Sequence, residues 1–171
     1  MKICVVSDSH DRADALELAV EQGVAHGAQA VLHCGDIIGA NTLRGLQRFG
    51  VPVHVVHGNN LGDPVLMARL AAQPENNLHY HGRDARLALG ERSIFMVHYP
   101  DYGHAMACTG DWDLVCCGHE HRAWTKQVKN VRGGETWLVN PGTVAGIGAP
   151  ATYLLGDLER MAFSICTLER E

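Results

Sequence analysis

The stretch Lys2-Ile3-Cys4-Val5-Val6-Ser7-Asp8-Ser9-His10 decides the fold. A run rich in β-branched residues breaks at once into small polar ones. A segment of helical period comes next, from about Arg12 to His26, with Leu16, Ala19, Val20 and Val24 on one face. Asp11 is placed to cap that helix and Gly27 to stop it. A buried strand that feeds a helix through a polar turn is the opening unit of a layered α/β domain. The unit recurs: Ala30 to Cys34 reads as a second strand ending at Gly35-Asp36, and a helix is expected over Asn41 to Phe49. Val53 to His57 reads as a third strand ending at Gly58-Asn59-Asn60, and Pro64 to Ala72 as a helix with proline in its first turn.

The second half is richer in strands. Arg86 to Leu89 and Ser93 to Val97 predict a hairpin about Gly90-Glu91, its second arm ending at His98. Leu114 to Cys117 is a short buried strand ending at Gly118-His119. Trp124 to Val131, Thr136 to Val139, Thr152 to Leu155 and Phe163 to Leu168 complete the set. Early β-α-β alternation with later hairpins predicts a mixed, layered α/β sandwich. A length of 171 residues without repeats or linkers fits one domain over residues 1–171.

Hydrophobic residues at 46% and charged residues at 19% are globular values, which excludes disorder. The net charge of −5 argues against general nucleic-acid binding, which needs a basic face. No apolar run approaches the roughly 18 residues of a membrane helix, and the apolar start is too short for a signal peptide. A soluble protein in the cytoplasm, with no membrane partner, is therefore expected. Six cysteines without a C-x-x-C pair then read as reduced, small core residues.

The residues at the strand ends carry the chemistry. Five apolar runs end in Asp8 and His10, in Asp36, in Asn59, in His98, and in His119 and His121. Open α/β sheets bind ligands beyond the carboxyl ends of their strands, so these groups are expected to face one crevice. All seven are oxygen or imidazole donors to metals. If Asp8-x-His10 and His119-x-His121 are extended, each pair points to one side. Seven donors are too many for one tetrahedral cation and suit two divalent ions, with Asp36, alone after its strand, as the bridge. Such a centre is net positive, which fits a phosphoryl group. Singly, Asp8 is equally a helix cap, Asp36 and Asn59 turn residues, and His98 a core histidine. The joint pattern is what favours a metal site.

Asp8-Ser9-His10, Gly35-Asp36, Gly58-Asn59, His98 and Gly118-His119-Glu120-His121 resemble, in order, the D-x-H, G-D, G-N, H and G-H-x-H motifs of calcineurin-like metallophosphoesterases. Asn140-Pro141-Gly142-Thr143 looks like the N-P-G-S turn of the small bacterial and archaeal phosphodiesterase branch, so the resemblance spans about Lys2 to Thr143. It implies a four-layer α-β-β-α sandwich of two mixed sheets. It also implies a first metal site of Asp8, His10, Asp36 and His121, and a second of Asp36, Asn59, His98 and His119. The implied cofactors are two divalent transition metal ions, manganese foremost, with nickel, iron or zinc as alternatives. The implied activity is hydrolysis of a small phosphoester, a diester foremost, by in-line attack of a hydroxide that bridges the ions.

Two positions depart from the pattern. Asn60 stands where much of the superfamily has a catalytic histidine, and an amide donates a hydrogen bond but is no general acid near neutral pH. The leaving-group proton then falls to His10 or to water on the metal, and activated diesters are favoured. His98-Tyr99-Pro100 replaces a common H-G-H, so the rim of the substrate site should differ. Of the remaining histidines, His57 and His104 lie nearest the inferred site, while His26, His33, His54, His79 and His81 read as surface or packing residues. Cys34 and Cys117 read as core thiols rather than ligands, and Glu120 should point away to solvent. Two other functions are compatible with the same sequence. One is a phosphomonoesterase or nucleotidase with a small cap from Leu61 to Gly82; the other is an interaction scaffold like the retromer subunit of this fold, whose metal constellation is incomplete. The oligomeric state is open, a homo-oligomer included.

Overall fold

The computed structural model describes residues 1–73 and 75–169. Strand β1 (Lys2–Val6) shows how the layers arise. Successive side chains of a strand face opposite ways. Ile3 and Val5 join Leu32, Ile94, Met96, Leu114 and Val139 in a core between two sheets. Cys4 and Val6 instead join Leu16, Ala19, Val20 and Leu43 in a second core, under helices. A third core holds Phe95, Val115 and Leu138 of the other sheet against Ala107. Three stacked cores make the four layers of an α-β-β-α sandwich.

After β1 come helix α1 (Ala13–Ala25), β2 (Ala28–His33), a 3₁₀ segment (Ala40–Phe49), β3 (Val53–Val55), α2 (Pro64–Ala71) and β4 (Leu78–Tyr80). The second half supplies β5 (Asp84–Leu89), β6 (Arg92–Val97), α3 (Pro100–Cys108), β7 (Leu114–Cys116), β8 (Ala123–Lys129), β9 (Glu135–Pro141), β10 (Thr152–Asp157) and β11 (Ala162–Thr167). One sheet has the order β11-β10-β1-β2-β3-β4 and the other β5-β6-β7-β9-β8. Strands β1 to β4 run parallel, as do β6, β7 and β9. The ends of β1 and β2 are laced together by Asp8 N–H donating to the Gly35 carbonyl at 2.9 Å, and those of β6 and β7 by Gly118 N–H donating to the His98 carbonyl at 2.9 Å.

Several local expectations change. Asp11 does not cap α1; at φ 62° it turns its carboxylate to accept from Gly39 N–H at 2.6 Å, tying the loop after β1 to the loop after β2. The segment after Ala40 winds as 3₁₀ rather than α-helix. The stretch from Leu61 to Gly82 is no detached cap: Asp63 caps α2 by accepting from Leu66 N–H at 2.9 Å, and β4 pairs with β3 as the edge of the first sheet. Helix α3 has no counterpart in the sequence pattern; Pro100 opens it, and Gly103 and Ala107 pack inward. Among the described residues no helix is long and apolar enough to cross a membrane.

Candidate metal centre

The donors sit on loops that leave the two sheets at this common edge. Asp8 (φ 55°), His10 (φ 42°), Asp36 (φ 54°), His119 (φ 74°) and His121 (φ 58°) all lie in the left-handed region, where non-glycine residues are uncommon and cost free energy. The two pairs are therefore not extended: His10 Nε2 stays 3.9 Å from Asp8 Oδ1, whereas His119 and His121 part. His121 Nε2 faces Asp8 Oδ1 at 3.3 Å and His10 Nε2 at 3.2 Å. His119 Nδ1 instead meets Asn59 Oδ1 at 3.0 Å, the same oxygen that lies 3.0 Å from His98 Nε2. Asp36 stands between: its Oδ2 is 3.8 Å from His10 Nε2 and its Oδ1 3.4 Å from His98 Nε2. The ligand atoms of Asp8, His10 and His121 cluster within 4.8 Å, as do those of Asp8, Asp36 and His98.

The donor chemistry fits cations. His98 Nδ1 contacts the Cys34 carbonyl at 2.8 Å and His121 Nδ1 the Ile147 carbonyl at 2.7 Å. A carbonyl only accepts, so each ring carries its proton on Nδ1, and in the neutral ring Nε2 is a lone pair. Both lone pairs face carboxylate oxygens, which are acceptors too. Asp8 Oδ1 is buried without a hydrogen-bond partner, although its other oxygen accepts from His119 N–H at 3.0 Å. An orphaned buried carboxylate oxygen is costly, and a positive ion is what would satisfy it.

A family model described as the calcineurin-like phosphoesterase superfamily domain matches residues 1–161. The chain belongs to that superfamily. Phosphodiesterase MJ0936 of Methanocaldococcus jannaschii is 24% identical over 177 residues, covering 99% of this chain and all of that protein. The solved structure of an archaeal phosphodiesterase superposes with a TM-score of 0.87 at 22% identity, covering 98% of this chain and 100% of that one. The Escherichia coli phosphoesterase YfcE gives 0.66 at 21% identity, covering 99% and 100%. The family is one of metal-dependent phosphoester hydrolases, and the sandwich is its fold.

Within this phosphoesterase, the remaining candidates sort by position. Asn60 turns inward: its amide Nδ2 donates to Asp36 Oδ2 at 2.6 Å and its N–H to Asp36 Oδ1 at 2.9 Å. His57 lies beside the centre and is held by Tyr80 at 2.7 Å; burial first, then the charges of Arg83 and His98, keep its ring below the usual imidazole range. His104 sits on α3 beside Cys108, and His54 stacks on His79 at 4.8 Å. Burial raises the Cys34 and Cys117 thiols, so neither offers a thiolate. Glu120 is turned outward and accepts from Trp124 at 2.8 Å.

Sequence reasoning undervalues His33, which is fully buried behind the loops. It accepts from Gly35 N–H at 3.2 Å and reaches Ser9 Oγ at 3.1 Å, fixing the loops that carry Asp8, His10 and Asp36. Asn140 and Thr143 brace the rear: Asn140 donates to the Gly118 carbonyl at 2.8 Å and Thr143 to the Asp8 carbonyl at 2.9 Å.

Gly58 shows how closely these loops approach. A methyl group there would overlap the Asp36 carboxylate and lie 2.8 Å from His98 Cδ2. Gly58→Ala should therefore cost about 1–3 kcal/mol of stability and on the order of 10²-fold in phosphoester turnover. Gly134→Ala, whose methyl meets nothing closer than 3.6 Å, is the control. Equal melting temperatures and rates for the two variants would show that the site tolerates a displaced Asp36.

Proposed function

We propose that this chain is a cytoplasmic phosphodiesterase of one domain that hydrolyses a small phosphodiester with two divalent cations, manganese foremost. Asp8, His10, Asp36 and His121 would hold one ion, and Asp36, Asn59, His98 and His119 the other. The observation that carries this is the buried acceptor cluster about Asp8 and Asp36, with an unsatisfied Asp8 oxygen and imidazole lone pairs turned toward carboxylates. When bound, the cations supply the acidity that makes water a nucleophile and the positive charge that neutralises phosphoryl oxygens.

The residues around them position and hold protons. Asp36 presents one oxygen to each group of donors, and Asn60 fixes that carboxylate with two hydrogen bonds. The proton for a departing alkoxide or phenoxide would come from His10, partly exposed at the mouth, or from water acidified by the cations. With an amide at position 60, activated leaving groups react best. A diester is favoured because the archaeal relative is a phosphodiesterase and because β4 pairs with β3 at the edge of the first sheet instead of roofing the site. Six unpaired cysteines suit a reducing compartment, and an overall negative charge suits a small substrate over nucleic acid.

The deciding experiment strips the protein with a chelator and returns manganese, nickel, zinc, iron or magnesium. Bis(4-nitrophenyl) phosphate and 4-nitrophenyl phosphate are assayed and bound metal is counted on the same preparation. Manganese should bind at two equivalents and favour the diester. At a hundredfold excess over Kd each bound ion should add about 2.7 kcal/mol of stability, raising Tm by roughly 5–10 °C per ion. A protein that binds none of the five metals and hydrolyses neither ester overturns the assignment.

A further inference from the structure

A cleft of about 390 Å³ opens directly beside the candidate centre, and Asn59 and His98 form part of its wall. Its volume is that of a small-ligand pocket. Much of the remaining lining is aromatic and aliphatic: Tyr99 (45% exposed), Tyr102 (44%) and Leu61 (42%) all border it. These are three of the seven large hydrophobic side chains left exposed among the described residues, so their convergence here marks an unfilled apolar surface.

Both rings are fixed from behind. Tyr99 packs edge-on against His98 and His119, with centroids 5.3 and 5.0 Å apart, and Tyr102 packs edge-on against Phe95 at 5.7 Å. Rings already held in place lose little freedom when a ligand stacks on them. The cleft also contains Arg83, exposed and without an ion-pair or hydrogen-bond partner among the described residues. Among the described residues no carboxylate lines the cleft, although the protein is negative overall. An unpaired guanidinium in a wall free of acids is suited to a carboxylate or a phosphate.

We propose that this cleft is the specificity subsite for one ester arm of the substrate, and that the arm is a planar aromatic group carrying its own negative charge. The aromatic ring stacks against Tyr99 and Tyr102, and Arg83 takes the anionic substituent. The proposal rests on the phosphodiesterase reading, because the cleft is placed to receive an arm only if the phosphoryl group sits at the donor cluster. Tyr99 replaces the small residue of the common H-G-H motif, so the aromatic wall belongs to this chain's own sequence.

Three diesters that share one leaving group test it. Methyl, phenyl and 3-carboxyphenyl 4-nitrophenyl phosphates each release 4-nitrophenolate as the oxygen of water replaces it on phosphorus, and the water's proton goes to solvent. The manganese-loaded protein should favour the phenyl over the methyl ester by roughly tenfold in kcat/KM, and the carboxyphenyl over the phenyl ester by a similar factor, mostly through KM. Tyr102→Ala and Tyr99→Ala should collapse the first ratio toward one; Arg83→Gln should collapse the second and spare the first. Ratios cancel any general loss of activity in a variant. Wild-type ratios near one, or ratios that survive these substitutions, overturn the subsite.

A protein that hydrolyses none of the three refutes the phosphodiesterase reading instead. The cleft is then judged by saturation-transfer NMR with phenylphosphonate, methylphosphonate and 3-carboxyphenylphosphonate. Ring-proton saturation that falls in Tyr102→Ala, together with weaker binding of the carboxylate in Arg83→Gln, supports it; no saturation overturns it.

Discussion

Asp36→Ala is expected to lower kcat/KM for bis(4-nitrophenyl) phosphate by on the order of 10³-fold or more, and to reduce bound manganese from two equivalents to one at most. Asp36 is the carboxylate that faces both groups of donors, with one oxygen 3.8 Å from His10 and the other 3.4 Å from His98. Its loss removes half of the buried carboxylate charge at the centre and would leave Asp8 alone to oppose the two proposed dications. Asn59→Ala touches the His98 and His119 side only, so its loss should be smaller, about 10–100-fold. Asp36→Asn separates charge from shape: it keeps the size and the contact to Asn60 N–H, yet should lose nearly as much activity as the alanine variant. Full activity with two bound metals in Asp36→Ala would sink the proposed centre.

The second large effect concerns His33 and is read on chelator-treated protein. Burial, reinforced by the neighbouring His98, lowers this ring from 6.5 to about 3 in the fold. The folded chain keeps it neutral, with Nδ1 accepting from Gly35 and Nε2–H donating to Ser9. Below pH 6.5 the unfolded chain takes up a proton that the folded chain refuses. Stability is therefore fully present above about pH 6.5 and is lost as the pH falls toward 3. The slope reaches about 1.4 kcal/mol per pH unit, and the whole effect is on the order of 4–5 kcal/mol. His33→Asn keeps an acceptor for Gly35 N–H and cannot titrate. It should be about 1–3 kcal/mol less stable at pH 7.5, yet lose less than the wild type between pH 6.5 and 4.5. Urea titrations at several pH values measure both; parallel slopes for the two proteins would show that His33 is not the group responsible.

Much of the fold is legible because the strands are short, β-branched and punctuated by glycine. The run Lys2 to Val6 and the hairpin about Gly90-Glu91 lie close to where their residues predict, and the turn residues adopt φ 54° and 63°, as a tight hairpin demands. Helix α3 escapes a sequence reading because Pro100, Gly103 and His104 interrupt the apolar period, and its inward face is made of glycine and alanine. The helix expected over Asn41 to Phe49 is present but wound as 3₁₀, and the edge strand β4 escapes a sequence reading. Three residues carry no period of their own, and pairing with β3 decides the form of β4.

At the site, the donor types and their order can be read, but their grouping by strand alternation cannot. Left-handed backbone at His119 and His121 sends these two histidines to different partners. The role of His33 is invisible because an apolar run hides a residue whose work is to brace two loops. Arg83 and Tyr99 flank the β5–β6 hairpin, in which Asp84 pairs with Val97, and the packing of the two sheets brings them beside Asn59.

The seven donors are shared between the layers: Asp8, His10, Asp36 and Asn59 leave the first sheet, and His98, His119 and His121 leave the second. Neither half carries the full proposed donor set, and the span from Asp8 to His121 must be synthesised and both halves docked before the cluster closes. Ion capture would therefore be a late event in the life of a nascent chain. Once made, it would act as a clasp across the seam at one end of the molecule while the far end relies on side-chain packing.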